Sequence, residues 1–367
     1  VIHRKLRKLR KNPRLFFKDM VNNRITYNKS LLKKNNNPNG HFTYTVISAV
    51  YGVEKYLDSF FASLTKQSLD FKSNIKIIMV DDGSLDGSKQ KILNWCLKYP
   101  NNIKYIYKEN GGQASARNLG MNFADTDWIT FIDPDDTVDV NYFSNVDNFI
   151  HNETDDKLAI VCCNLIYNIE NKGTSNRHPL KNRFENGDRT LKICDLKNEF
   201  QLSASASFFN NHIIKNTNIK FPDNVKPNFE DGHFVASYML DNQKMSIGFC
   251  KSAIYLYLKR EDNSSTIDNS LIDSRRYSQV IENGYLDILK KSLTYNKKVP
   301  LWLQTEILYE LFWLIKYLVN NESRSDFLTP QEKITFKKLL VSCFEYIDDK
   351  TIIDYSLAGC WFYHKKG

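Results

Sequence analysis

Four short stretches bring residues capable of chemistry close together. In "FIDPDD" (131–136), three carboxylates, Asp133, Asp135 and Asp136, follow an apolar run. Like charges this close repel, and desolvating them is costly unless a cation is captured. Hard oxygens at this density suit Mg²⁺ or Mn²⁺ held by one or two carboxylates, with a diphosphate completing the octahedron. A solvated acidic loop accounts for the same residues, with Asp136 or Thr137 capping a segment that begins near Val140. In "DDGS", Asp82 ends an apolar run and can accept from a nucleobase imide N–H, while Gly83 lets the chain turn sharply. An Asx turn that caps the next helix fits equally well.

Asn110-Gly111-Gly112 precedes Arg117-Asn118 by a helical turn or two. Glycines before a helix let backbone amides approach an anion, and Arg117 adds a planar fork. The alternative is a glycine-rich turn with a surface arginine. Neither a complete G-x-G-x-x-G nor a G-K-[ST] follows, which excludes dinucleotide-fingerprint and P-loop readings of this turn. Glu230-Asp231 opens a helical stretch. Such a carboxylate can act as general base on a hydroxyl, or simply place favourable charge at a helix N-terminus. His233 is the nearest histidine, and its expected role is structural or supporting.

These residues need elements to hold them. Apolar runs at 43–51, 74–80, 103–107, 127–132 and 157–169 read as strands. Between them, 54–67, 87–98 and 111–124 have helical spacing, with Leu57, Phe60, Phe61 and Leu64 on one face. This alternation predicts an α/β fold with a mainly parallel, Rossmann-like sheet covered by helices, and ligands beyond the C-terminal strand ends. The stretches at 203–209 and 229–240 are expected to bracket a loop and a helix, and 253–260 reads as a further strand. From residue 273 the pattern is helical, with Trp302, Phe312 and Trp313 read as core rather than as carbohydrate platforms. The expected division is a basic N-terminal segment and linker (1–41), an α/β domain (42–272) and a C-terminal helical region (273–367).

The net charge of +9 is local. Residues 1–40 hold 12 Lys/Arg and one acid, Asp19, which leaves 39 basic and 41 acidic groups elsewhere. That segment, with Leu6, Leu9, Phe16 and Phe17, fits a solvated or locally packed stretch, or peripheral contact with an anionic membrane surface, and no nucleic-acid partner is expected. No apolar run approaches the ~18 residues of a spanning helix. Seven cysteines without a C-x-x-C pair suit free, buried thiols in a reducing compartment.

Taken in order, "VISAVYGVEKYL", "IIMVDDGSLDGS", "ENGGQASARNLGM", "WITFIDPDDTV" and "NFEDGHF" resemble the family 2 glycosyltransferases of GT-A fold, over about residues 43–265. The nearest likeness is to bacterial transferases that build capsule, teichoic-acid-like or lipopolysaccharide glycans. The resemblance implies that Ala49, Tyr51 and Glu54 line a nucleotide pocket and that Asp82 binds the base, usually uracil. Asn110, Gly112 and Arg117 would help hold the nucleotide. Asp133 and Asp135 match the D-x-D pair, Asp133 near the ribose and Asp135 on Mn²⁺ or Mg²⁺, with Asp136 in support. Asp231 matches the catalytic base, and Arg260 with Ser264 and Ser265 would fold over the diphosphate. The sequence departs from the family at Ala49, Gly52, Leu85 and Leu258, where Pro, Asn, Thr and Arg are frequent.

The expectation is therefore an inverting, metal-dependent glycosyltransferase that moves a sugar from a nucleotide-sugar donor to a glycan or polyol-phosphate acceptor. Its expected place is the cytoplasm, peripheral on the inner face of a bacterial membrane. A GT-A-like nucleotide-binding module without turnover is the alternative. A nucleotidyltransferase would want a basic glycine-rich loop after the first strand, which "SAVYGVEKY" does not supply. The chain begins without Met and ends "YHKKG", so a fragment of a longer enzyme, with an additional transferase domain or a homo-oligomeric partner, is expected.

Overall fold

A computed structural model describes residues 39–153, 157–260 and 269–360. The basic segment expected to contact a membrane falls almost wholly outside these residues, as do Ser264 and Ser265. Strands β1 (Tyr44–Val50), β2 (Ile75–Asp81), β3 (Ile103–Tyr107), β4 (Trp128–Phe131), β5 (Thr137–Val138), β6 (Leu158–Ile169), β7 (Gly173–Ser175), β8 (Arg189–Lys192), β9 (Ser207–Asn210) and β10 (Ser246–Lys259) form one sheet. Its order is β3-β2-β1-β4-β9-β6-β10-β5, with β7 on β6 and β8 on β10.

The first four strands are parallel, as the alternation predicts. Beyond β4 the sheet is mixed: β9 runs antiparallel to both β4 and β6, and β10 is parallel to β6. An antiparallel neighbour needs no crossover helix, so β6 to β9 follow one another with no α-helix between them. β10 also begins well before the expected 253–260. Exposed Lys251 and Ser252 at its bulge, between Cys250 and Ile254, break the apolar pattern.

Each face of the sheet has its own core. On one side, helix Leu57–Thr65 buries Leu57, Phe60, Phe61 and Leu64 with Val46 and Ile77. On the other, helix Gln113–Met121 lies so close to β1 that a Cβ on Gly120 would overlap Ile47. The C-terminal helices Asp287–Tyr295, Leu301–Leu318 and Pro330–Phe344 join this second core. Trp302, Leu308 and Phe312 are buried in one cluster with Phe209, Phe234 and Met239. Trp302 and Phe312 are core as expected, whereas Trp313 is partly exposed beside Tyr309. All seven cysteines are free, and Cys162, Cys163, Cys250 and Cys343 are buried. Among the described residues no helix is long and apolar enough to cross a membrane.

Candidate active site

The C-terminal ends of β1, β2 and β4 lie side by side, because their registers pair Val50 with Asp81 and Ile47 with Phe131. Asp82 leaves β2 at a sharp turn. Gly83 (φ +80°) turns in the left-handed region, and a Cβ there would meet the Asn110 backbone nitrogen at 3.1 Å. Gly112 (φ +91°) makes a similar turn at the start of helix Gln113–Met121. Together they let Asp82 accept from the amides of Gly111 (2.9 Å) and Gly112 (2.7 Å), and from Lys108 Nζ (2.5 Å). Asp82 thus ties the β2 loop to the glycine-rich turn. Around it, Ala49 is half-buried, Tyr51 and Asn110 are exposed, and Glu54 accepts from the Gly87 amide at 2.9 Å.

Arg117 is no surface residue. It is 2% exposed, one turn into its helix, with its guanidinium over the Phe221 ring. Nη2 donates to Asp133 Oδ1 at 2.7 Å, and Nη1 donates to Asp231 Oδ1. Burial by itself would lower the Arg117 pKa, but Asp231 and Asp133 outweigh it and hold the guanidinium above its ordinary value. Asp231 stands in the first turn of helix Glu230–Asp241. Burial, with Asp133 nearby, raises its pKa above the usual carboxylate range despite Arg117. Glu230 beside it is raised too, by burial and by Asp231, and it accepts from Gln113.

The acidic loop divides into three roles. Asp133 bridges Arg117 and Ser205 Oγ (2.9 Å). Asp135 pairs with Arg260 Nη2 at 2.5 Å, and the Arg260 guanidinium also lies over the Tyr56 ring. Burial and Asp133 raise the Asp135 pKa, against Arg260. Asp136 is buried and accepts from Tyr255 Oη (2.7 Å) and the Leu258 amide (2.6 Å). It caps no helix; the short strand β5 follows it, and the next helix begins at Tyr142. Asp136 therefore fixes the loop's shape while Asp133 and Asp135 stay partly open.

Those two carboxylates are a donor set suited to a hard divalent cation, since a guanidinium already satisfies Asp135 where a metal's charge would. No group of three or more His, Cys, Asp or Glu suited to a metal occurs among the described residues, so a cation here would need ligands from elsewhere. Several site residues escape sequence reasoning. The Ala204 amide donates to Asp231 Oδ2 (3.2 Å) and Ser205 donates to Asp133, both from a loop of small residues, "SASAS". A run of small polar residues beside a strand is a weak signal. His233 Nε2 lies 2.8 Å from Asp287 Oδ2.

Sheet order and site define a protein of GT-A fold. The crystal structure of Staphylococcus aureus TarS 1–349 in complex with UDP-GlcNAc matches with a TM-score of 0.63 at 19% identity, covering 85% of this chain and 84% of that one. Residues 45–216 match the family model for glycosyl transferase family 2. The chain carries a domain of that family. The minor teichoic acid biosynthesis protein GgaB of Bacillus subtilis (strain 168) is 32% identical over 331 residues, 88% of this chain but 35% of GgaB. GgaA of the same organism, with the same description, is 29% identical over 311 residues, 84% of this chain and 68% of GgaA. This chain therefore spans about a third of the length of one relative and about two thirds of the other.

Proposed function

We propose that the chain is an inverting, metal-dependent glycosyltransferase that moves a sugar from a UDP-sugar to a hydroxyl of a polyol-phosphate cell-surface polymer. The observation that carries this is the Arg117 bridge, which joins Asp133 of the D-x-D loop to Asp231. A donor-holding carboxylate and a base are thereby fixed to one buried cation. The printed names of GgaA and GgaB concern minor teichoic acid, and the TarS crystal structure holds UDP-GlcNAc, which supports the acceptor and donor classes.

Asp231 takes the proton of the acceptor hydroxyl as that oxygen attacks the anomeric carbon. Its raised pKa strengthens it as a base, and Arg117 with the Ala204 amide fixes its orientation. A single base, acting on the face opposite the departing diphosphate, gives inversion. Asp82, with the Gly111–Gly112 turn, forms the floor for the nucleoside, and Arg260 lies where it can turn from Asp135 to the diphosphate. Asp135 and Asp133 would hold Mn²⁺ or Mg²⁺, which supplies positive charge against the leaving diphosphate.

The test is UDP release from a panel of UDP-sugars with Mn²⁺ and a poly(glycerol phosphate) or poly(ribitol phosphate) acceptor, with NMR of the product anomer. Metal-dependent transfer from an α-linked donor to a β-linked product is expected. UDP binding without turnover on any acceptor would make the chain a binding module instead.

A further inference from the structure

We propose that the π-helical turn Val280–Leu286, with Asp287 behind it, is a positioning element for Asp231 and acts through Phe229. This rests on Asp231 being the base, and it gives the C-terminal helical region a part in catalysis.

Phe229 immediately precedes helix Glu230–Asp241 and has φ +78°. An aromatic residue in the left-handed region is strained, and such strain persists only where the surroundings over-determine it. Glycine would make the same turn freely, so the turn by itself gives no reason for phenylalanine. The ring explains the choice. It is buried, edge-on to Tyr285 at 4.7 Å between centroids, and fills space left by two missing side chains. A Cβ on Gly232 would come within 2.5 Å of the ring, and one on Gly284 within 2.9 Å. Gly284 and Tyr285 both belong to the π-helical turn, a wide turn that recurs at functional sites.

Two polar ties flank this wedge. Asn283 Nδ2 donates to the Asn224 carbonyl at 3.2 Å, and Asp287 meets His233 at 2.8 Å. The His233 amide in turn donates to the Phe229 carbonyl at 2.9 Å, which closes the first helical turn around Asp231. Arg117 holds the carboxylate from the nucleotide side, while the π-helical turn sets the backbone from the other. A displacement of about 1 Å at a catalytic group costs on the order of a hundredfold in rate, so both supports matter.

The experiment compares Gly284→Ala, Phe229→Gly, Asp287→Ala and the double variant Gly284→Ala/Phe229→Leu with the parent chain. Each is assayed with Mn²⁺ and whichever of UDP-GlcNAc, UDP-GalNAc and UDP-glucose releases UDP fastest. Gly284→Ala and Phe229→Gly are expected to lower kcat by about ten- to a hundredfold. The KM for the donor and the affinity for UDP should stay within about twofold, because neither residue touches the nucleotide floor. Trimming the ring in the double variant should return most of the activity lost in Gly284→Ala, because the two residues meet directly. Asp287→Ala, at an exposed position, should lower kcat severalfold. Parental kcat in Phe229→Gly and Asp287→Ala overturns the proposal, as does a loss of UDP affinity parallel to the loss of kcat. Asp231→Asn separates the two levels. If it turns over normally, the base assignment fails; if it is inactive while the positioning variants match the parent, the positioning role alone fails.

Discussion

Arg117 Nη2 donates to Asp133 Oδ1 at 2.7 Å from a position closed to solvent, and its other terminal nitrogen holds Asp231. A lysine keeps the charge but cannot span two carboxylates on different elements. Arg117→Lys is expected to lower kcat/KM by about a hundredfold with the fold intact, measured by steady-state UDP release. Arg117→Met leaves both acids without their cation, with Ser205 and the Ala204 amide still donating to them. It should cost about 2–3 kcal/mol in denaturant unfolding, the low side for a broken buried pair, because Asp133 keeps some water.

Asp135 meets Arg260 at 2.5 Å, which makes the guanidinium a competitor for any cation at this carboxylate. Calorimetric titration with UDP should show tighter binding with Mn²⁺ than without it in the parent chain. In Asp135→Ala the Mn²⁺ dependence should vanish, and metal-dependent transfer with it.

Glu306, on helix Leu301–Leu318, is fully buried, and neither carboxylate oxygen has a hydrogen-bond partner among the described residues. Burial, and Glu310 next to it, push its pKa well above the usual value of 4.5, against the pull of Arg183. The folded chain therefore favours the protonated form. This group's contribution to stability is complete below about pH 4.5 and is lost as pH rises through the folded-state value. Glu306→Gln should unfold at a higher temperature than the parent at about pH 8, with the gap closing towards about pH 4.5. Thermal unfolding across that range checks the sign.

Gly120 packs against Ile47, with no room between helix and strand for a Cβ. Gly120→Ala should destabilise the chain by about 1–3 kcal/mol, as overpacking does, and should raise the donor KM by tilting the helix that carries Arg117. Denaturant unfolding and donor titration read the two effects separately.

The parallel half of the sheet was legible because its strands are continuous apolar runs and its helices carry one apolar face. The antiparallel return strand β9 was not read from the sequence: only four residues long, it overlaps the end of the 203–209 stretch that was read as the edge of a loop and helix. At the site, Asp82, Asp133, Asp135 and Asp231 stood out because each lies in a short local motif. What they do to one another did not. Arg117 meets Asp133 across 16 residues and Asp231 across 114, so its burial is a product of folding that no spacing reveals. The same holds for Ser205 on Asp133 and for the Phe229 wedge, whose left-handed backbone has no signature in "NFEDGHF".

The central claim is that Asp231 is the base that deprotonates the acceptor. The most direct measurement is single-turnover UDP release by Asp231→Asn beside calorimetric binding of UDP with Mn²⁺. Loss of general-base catalysis predicts a rate lower by at least about a hundredfold, with UDP affinity within about twofold of the parent. A rate equal to the parent's, with nucleotide binding preserved, would contradict it.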